Sequence, residues 1–174
     1  MKLRKYLFKK VLSTNNTALR LINKGCKHGA IMSEYQSKGR GQYGNKWVSK
    51  KGNLFMTIFF EINKRKSIKK ITKINLSIIK KIILNKIKLK VTTKLPNDIL
   101  IDNKKVCGIL QETIFKKNIK FMILGIGINL ISSPSVIKYQ TTYLNNYSKK
   151  KINKIKLFNQ IKTNFEKQIK HFKK

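Results

Sequence analysis

Hydrophobic residues recur at helical spacing in three parts of the chain and predict three helices. The clearest stripe consists of isoleucines that return every three or four residues between Ile68 and Ile83, which is the period of one helix face. A shorter apolar face follows the helix-capping residue types around Ser13, and the last stripe runs to the end of the chain. The predicted helices cover residues 16–24, residues 68–86 and a segment from about residue 151 onward.

Runs of β-branched and aromatic residues between turn-forming residues predict six or seven strands. They cover residues 3–11, 30–36, 53–60, 89–93, 99–101, 106–113 and 119–129, the last of which ends in a glycine segment. Hairpin turns at 102–104 and 116–118 join consecutive strands, and no linker or internal repeat divides the sequence. We therefore predict one α+β domain over residues 1–174, with a mixed, mostly antiparallel sheet flanked by helices.

The charge of the chain is strongly positive, because 41 lysines and arginines stand against 6 acidic residues, for a net charge of +35. A charge of this size suggests nucleic-acid binding. However, nearly all of it is lysine spread along the whole chain, and lysine, isoleucine and asparagine, which A/T-rich codons encode, are abundant together. A biased genome explains this composition, so we expect no specific nucleic-acid partner, although non-specific binding to polyanions at low salt follows from the charge.

The cysteines and the apolar segments limit the remaining classes. Cys26 and Cys107 form no CxxC motif and have no histidine at metal-binding spacing, so neither a disulfide framework nor a metal centre is predicted. No apolar stretch approaches the length of a membrane span. The N-terminal segment is basic but lacks the apolar region and cleavage site of a signal peptide. These features predict a cytoplasmic protein without a membrane partner.

The segment from Gly39 to Trp47, which we name the glycine loop, is the strongest candidate for chemistry. Its Gly39-x-Gly41-x-x-Gly44 spacing matches the dinucleotide-binding fingerprint, but a predicted strand follows where that fingerprint requires a helix, which excludes a Rossmann site. Glycines allow a ligand to approach the backbone closely, and Arg40 offers donors suited to a carboxylate or phosphate. The loop therefore either wraps an anion or is a hairpin connection in which Arg40 is merely solvated.

Four further motifs contain residue types that bind polar ligands. They are Ser13-Thr14-Asn15, Lys94-x-Pro96-Asn97-Asp98, Lys105-x-x-Gly108 and Gly125-x-Gly127-x-Asn129. The first motif supplies hydroxyl and amide groups at a helix start or serves in capping alone. Gly125 and Gly127 remove side chains from one strand face, which can then lie against a flat ligand. Lys105 either points into a site or is one more surface lysine.

Together and in this order, the glycine loop and the four motifs resemble those of bacterial biotin protein ligases (biotin–[acetyl-CoA-carboxylase] ligases). The resemblance spans nearly the whole chain and implies the biotin/lipoate ligase catalytic fold, which is similar to that of class II aminoacyl-tRNA synthetases. It also implies an enzyme that uses ATP with Mg²⁺ to join biotin, through biotinyl-5′-AMP, to a lysine of a biotin carboxyl carrier protein, such as that of acetyl-CoA carboxylase.

The resemblance also implies roles for individual residues. It implies biotin binding by Ser13, Thr14, Asn15, Gln36, Gly39, Arg40, Gly41, Gln42, Lys105, Gly108 and Gly125. It implies ATP binding by Arg40, Trp47, Asn97, Asp98, Lys105 and Asn129. Arg40 and Lys105 are the implied catalytic residues. Mg²⁺ is expected to arrive with ATP near Asp98 rather than to occupy a fixed protein site.

The chain departs from the family pattern in two ways. Many members carry a second arginine in the glycine loop where this chain has Gln42, so we expect the adenylate to be released more readily. The sequence also shows neither the N-terminal winged helix of repressor-type members nor the small C-terminal β-barrel domain, and we expect a catalytic domain alone. The oligomeric state, including a homodimer, stays open.

Two other functions stay open from the sequence. Lipoate or octanoate ligases and transferases of the same fold also use a Lys-x-x-Gly motif, although the glycine loop with Arg40 and the motif from Lys94 to Asp98 favour biotin. The other alternative is a degenerate basic nucleic-acid-binding protein that has kept the ligase fold. Its affinity would depend on salt and polyanion alone, whereas a ligase would consume ATP only with its acyl substrate.

Overall fold

The computed structural model describes residues 1–137 and 139–173, and within these ranges seven strands form a single sheet. The strands are β1 (Lys5–Val11), β2 (His28–Gln36), β3 (Leu54–Ile62), β4 (Val91–Lys94), β5 (Asp98–Ile101), β6 (Lys104–Lys116) and β7 (Ile119–Ile128). The helices are α1 (Thr14–Asn23), α2 (Ile68–Leu84) and α3 (Lys154–Lys173), with short 3₁₀ turns at Gln42–Gly44 and Leu144–Asn146. Across the sheet the order is β1-β2-β3-β7-β6-β5-β4.

The sheet is mixed and mostly antiparallel, as predicted. β1 and β2 run parallel, and the other neighbouring strands run antiparallel. The β5–β6 and β6–β7 hairpins turn through two pairs of residues with positive φ, Asp102-Asn103 and Lys117-Asn118, which is the backbone that tight two-residue hairpin turns require. β5 pairs with β6 as far as Gly108, and the second half of β6 continues beside β7.

The predicted helices and strands are confirmed, with shifts at their ends. The first helix begins at Thr14 rather than at residue 16, and the last begins at Lys154 rather than near residue 151. β7 ends at Ile128, within the predicted glycine segment that runs to Asn129. The end of β7 matters for the site, because Gly125 and Gly127 lie inside the sheet, as predicted.

Alternation of side chains along the strands gives the sheet two different faces. One face carries the larger apolar core, where buried residues such as Met56, Ile58 and Leu124 belong to one cluster with the apolar stripes of α2 and α3. The opposite face packs against α1 through a smaller cluster that contains Ile22 and Phe59. α1 covers only part of that face, and the uncovered part forms the candidate site.

The state of the two cysteines and the length of the helices bear on thiol chemistry and on membrane insertion. Cys26 and Cys107 are free thiols. Burial raises the pKa of Cys107 well above its usual range, and the nearby Lys105 charge lowers it only in part. Cys107 is therefore a protonated core residue rather than a nucleophile. No helix within residues 1–137 and 139–173 is both long enough and apolar enough to cross a membrane.

Candidate active site

A cleft of about 710 Å³ opens on the sheet face that α1 leaves uncovered. Its walls come from the start of α1, the glycine loop, the turn before β5, the glycines of β6 and β7, residues 134–137, Tyr139 and Thr141. All residues predicted to bind biotin or ATP line the cleft except Gly39. Gly39 lies beneath the loop backbone, where an added Cβ would collide with the Trp47 carbonyl. The fold thus gathers motifs that are far apart in sequence.

The N-terminal end of α1 and the end of β2 form the polar floor of the cleft. The backbone N–H and the hydroxyl of Thr14 both donate to Gln36 Oε1, at 2.8 and 3.0 Å. Gln36 Nε2 donates to Ser49 Oγ at 3.4 Å. Ser13 occupies the N-cap position with extended backbone angles, but its side chain makes no capping hydrogen bond. The capping interpretation is therefore incomplete, because these side chains are oriented by contacts across the cleft.

Asn15 is held from two sides by neighbouring strands. Its Oδ1 accepts a hydrogen bond from Thr57 Oγ1 at 2.7 Å, and its Nδ2 donates to Glu112 Oε2 at 2.7 Å and to the Leu110 carbonyl at 3.3 Å. Asn15 is almost fully buried. An added Cβ at Gly125 would overlap Asn15 Oδ1. Gly125 is therefore needed so that this buried amide can lie against β7.

The indole of Trp47 lies against the backbone of two strands. An added Cβ would stand 2.6 Å from Trp47 Cζ3 at Gly108 and 2.5 Å from Trp47 Cε2 at Gly127. We predicted that a flat ligand would lie against the face formed by Gly125 and Gly127. In this structure the indole lies against Gly127 and Asn15 lies against Gly125, while both glycines line the cleft, so contact with a flat ligand stays a prediction.

Lys105 lies inside the cleft and is held by charge and by aromatic rings. Its Nζ is 2.8 Å from Asp98 Oδ1. The same atom is 5.6 Å from the centroid of the Trp47 ring and 4.9 Å from that of the Tyr139 ring, within the range of cation–π attraction. The Lys105 side chain is only 13% exposed. The alternative of a solvated surface lysine is therefore wrong.

Arg40 fastens the glycine loop to the body of the protein. Arg40 NH1 donates to Asn16 Oδ1 at 2.7 Å, and NH2 donates to Glu112 Oε1 at 2.6 Å. The loop has the shape of a small hairpin, with Gly41 N donating to the Asn45 carbonyl at 2.7 Å. The hairpin alternative is thus correct for the backbone, but Arg40 is paired rather than merely solvated.

Three buried polar atoms of the cleft have no hydrogen-bond partner: Trp47 Nε1, Asp98 Oδ1 and Asn129 Oδ1. Asp98 Oδ1 is ion-paired with Lys105, which leaves Trp47 Nε1 and Asn129 Oδ1. Buried polar atoms are nearly always paired, so both mark places where a ligand group can bind. Asn129 Oδ1 and the Asp98 carboxylate are also hard oxygen donors of the kind that Mg²⁺ prefers. Within residues 1–137 and 139–173, no three His, Cys, Asp or Glu side chains cluster as a metal site. The donors present fit a magnesium ion that arrives with a nucleotide.

The sequence profile of the Biotin/lipoate A/B protein ligase family matches residues 7–129 of this chain. The chain belongs to this family. The matched range runs from β1 to the residue after β7 and contains the glycine loop, Lys105 and both glycines beneath the cleft. The resemblance drawn from the motifs is therefore confirmed by a match that covers most of the chain.

Curated relatives of the family are longer than this chain. The bifunctional ligase/repressor BirA of Escherichia coli strain K12 is 34% identical over 125 residues, which are 68% of this chain and 38% of that protein. The BirA protein of Bacillus spizizenii is 29% identical over 171 residues, which are 93% of this chain and 52% of that protein. The chain thus spans about half the length, or less, of these relatives.

Solved structures share the fold across nearly the whole chain. The biotin protein ligase from Aquifex aeolicus in complex with biotin and ATP has a TM-score of 0.80 at 27% identity and covers 98% of this chain and 72% of that one. The Leishmania major ligase in complex with biotinyl-5-AMP has a TM-score of 0.80 at 24% identity, over 98% and 76% of the two chains, and shows the fold. The predicted biotin/lipoate ligase fold is therefore confirmed.

Three residues that shape the cleft were not predicted as site residues: Thr57, Glu112 and Tyr139. Thr57 orients Asn15, Glu112 joins Asn15 to Arg40, and Tyr139 stacks on the Lys105 ammonium. The sequence did contain a signal for Glu112. It lies four residues after Gly108 and two after Leu110, which places all three on the same strand face. It is also one of only 6 acidic residues in the chain. No sequence pattern linked Tyr139 to Lys105, since a parallel bridge between Lys105 and Thr141 creates that contact.

Proposed function

We propose that this protein is an ATP-dependent biotin ligase, which joins biotin through biotinyl-5′-AMP to a lysine of a biotin carboxyl carrier protein of a biotin-dependent carboxylase. The observation that carries the proposal is the position of Lys105 and Arg40 on the walls of one cleft whose floor holds the Asn15 and Gln36 amides. Family membership and the ligand-bound Aquifex aeolicus ligase support the same function.

The first step joins two anionic groups. A biotin carboxylate oxygen attacks the α-phosphorus of ATP, the bond between the α-phosphorus and the bridging oxygen breaks, and pyrophosphate leaves. The Lys105 ammonium and the Arg40 guanidinium reduce the repulsion between the reacting anions and stabilise the charge of the transition state. Because Asp98 and two aromatic rings already hold Lys105, this cation needs little reorganisation when the ligands bind.

Magnesium and nucleotide are assigned to the end of the cleft that contains Asp98, Asn97 and Asn129. When bound, Mg²⁺ neutralises charge on the departing pyrophosphate. The buried Asn129 Oδ1 lacks a hydrogen-bond partner, which supports its assignment as an oxygen donor to the nucleotide–metal complex. Asn97 is fixed by its Nδ2 bond to the Ile109 carbonyl at 3.2 Å, so it supplies a rigid wall beside Asp98.

The second step transfers the acyl group. The ε-amine of the carrier lysine attacks the acyl carbon of the mixed anhydride, AMP leaves, and the amine loses a proton. No covalent bond to this protein is needed. The ring of Trp47 and the glycine loop cover the cleft, and they exclude water that would hydrolyse the anhydride. The proposal includes a cytoplasmic location, because the reaction consumes ATP.

The proposal is tested by incubating the purified protein with ATP, Mg²⁺, labelled biotin and a biotin carrier domain. We expect label on the carrier lysine together with biotin-dependent release of pyrophosphate. A matched reaction contains lipoate or octanoate with a lipoyl domain. Transfer of lipoate or octanoate without transfer of biotin would assign the protein to lipoyl chemistry. No release with any acyl substrate would contradict a ligase and would leave a polyanion binder, whose affinity falls steeply with salt.

A further inference from the structure

Glu112 connects two parts of the cleft that come from distant segments of the chain. It lies on β6, four residues after Gly108 and on the same strand face. One carboxylate oxygen accepts a hydrogen bond from Asn15 Nδ2 at 2.7 Å, and the other accepts from Arg40 NH2 at 2.6 Å. A single side chain thus joins the start of α1 to the glycine loop.

The two contacts constrain their partners in different ways. Thr57 Oγ1 donates to Asn15 Oδ1 while Asn15 Nδ2 donates to Glu112, so the amide is fixed in one of its two flipped orientations. Arg40 uses two of its five N–H donors on Asn16 and Glu112. The guanidinium still lines the cleft, so it can bind an anionic ligand without releasing Glu112.

Three sets of contacts fasten the glycine loop and its flank to the body of the protein. The Trp47 ring rests on Gly108 and Gly127, Gln36 bonds to Ser49 beyond the loop, and Arg40 is held by Asn16 and Glu112. Among these, the contact between Arg40 and Glu112 is an ion pair. Its side chains are 44% and 29% exposed, so solvent screens the attraction and its contribution is modest.

We propose that Glu112 is a positioning residue that holds the glycine loop closed over the cleft and couples that closure to the orientation of Asn15. The proposal deepens the proposed function and rests on it where it assigns biotin to Asn15 and the adenylate to Arg40. Loss of the Glu112 charge lets the loop lift more often. An adenylate in the cleft then escapes sooner, because loop opening precedes its release.

The first test needs no ligand and uses the only tryptophan of the chain. The buried Trp47 indole N–H exchanges with solvent when the loop lifts, and its rate is measured by NMR in Glu112→Gln. The matched control is Glu61→Gln, which removes a similar ion pair with Lys173 at 3.2 Å, outside the cleft. We expect the indole N–H of Glu112→Gln to exchange about two- to fivefold faster than that of the control, which corresponds to the free energy of an exposed ion pair. Equal rates in the two variants would overturn the proposal.

A double variant tests whether Glu112 acts on the glycine loop through Arg40 or has only a structural role. In Arg40→Ala, the loop has already lost its contact with the carboxylate, so Glu112→Gln should change indole exchange little further. An undiminished effect of Glu112→Gln in that background would overturn the link to Arg40. Adenylate release, measured after pulse formation with biotin and ATP, should accelerate by the same factor in Glu112→Gln. If the wild-type protein makes no adenylate, the proposed function fails, and indole exchange still decides the role of Glu112.

Discussion

The indole ring of Trp47 lies against Gly127 of β7, so close that a Cβ at Gly127 would stand 2.5 Å from Trp47 Cε2. One residue belongs to the glycine loop and the other to the centre of the sheet. The contact closes the cleft from above and forces the loop to approach the strand backbone. Closure of this site is therefore achieved by shape as well as by the charge of Arg40.

Gly127→Ala should displace the Trp47 ring. The added methyl has no room beside the indole, and a loop shifts more easily than a central strand. We expect a red-shifted emission from this only tryptophan, stronger quenching by acrylamide, and a loss of ligation of up to about a hundredfold.

The matched control is Gly125→Ala, whose methyl would meet Asn15 rather than Trp47. It should weaken biotin binding while leaving the emission near that of the wild type. Wild-type emission and quenching in Gly127→Ala would show that the ring does not rest on this strand in solution.

Gln42 lines the cleft at the first position of the 3₁₀ turn in the glycine loop. Gln42→Arg adds a positive charge beside the predicted adenylate site and should slow adenylate release about two- to fivefold, the range of one partly exposed charge contact. The effect should shrink as salt is added. The control is Gln42→Met, which adds no charge and should not slow adenylate release. An identical release rate in Gln42→Arg and in the wild type would count against a charge effect.

Glu166 links α3 to the N-terminal segment and provides a stability test remote from the cleft. Burial raises the pKa of this carboxyl, but hydrogen bonds from Lys162 and from the Leu3 amide, with nearby positive charges, lower it overall. The charged form is therefore favoured in the folded protein. The resulting stability is present in full above the ordinary pKa of 4.5 and is lost as the pH falls through the lower folded-state pKa.

Glu166→Gln should therefore lower the free energy of unfolding by about 1–3 kcal/mol at pH 7, the range for hydrogen bonds to a charged group. The difference between variant and wild type should disappear in acid, below the folded-state pKa. Glu34→Gln, which removes a more exposed partner of Lys154, should cost less than about 1 kcal/mol. Urea unfolding across this pH range measures both, and a pH-independent difference for Glu166→Gln would refute the assignment.

Local patterns were sufficient to predict most elements of the fold. The isoleucine stripe of α2 and the hairpin turn at Asp102 depend on neighbours in sequence, and both appear as predicted. The motifs also identified many of the residues that line the cleft. Their gathering follows from strand pairing, which brings Asp98 beside Gly108 and Gly108 beside Gly127.

Contacts between distant segments could not be predicted in the same way. The Trp47 ring lies against Gly108 and Gly127, a contact that glycine spacing alone does not predict, because the spacing shows that a face is bare but not what covers it. Tyr139 reaches Lys105 only because residues 140–142 run beside the start of β6. The pairing of Arg40 with Glu112 likewise requires the loop to fold back across the sheet.

The central claim is that Lys105, alone among the lysines near the start of β6, supports the joining of biotin to ATP. Biotin-dependent pyrophosphate release, without any carrier, measures this step directly in Lys105→Ala and in the adjacent Lys104→Ala. Lys104 lies next to Lys105 on β6, so its side chain projects from the opposite face of the strand. The account predicts a loss of roughly a hundredfold or more for Lys105→Ala and nearly wild-type release for Lys104→Ala. Equal rates in the two variants would contradict it.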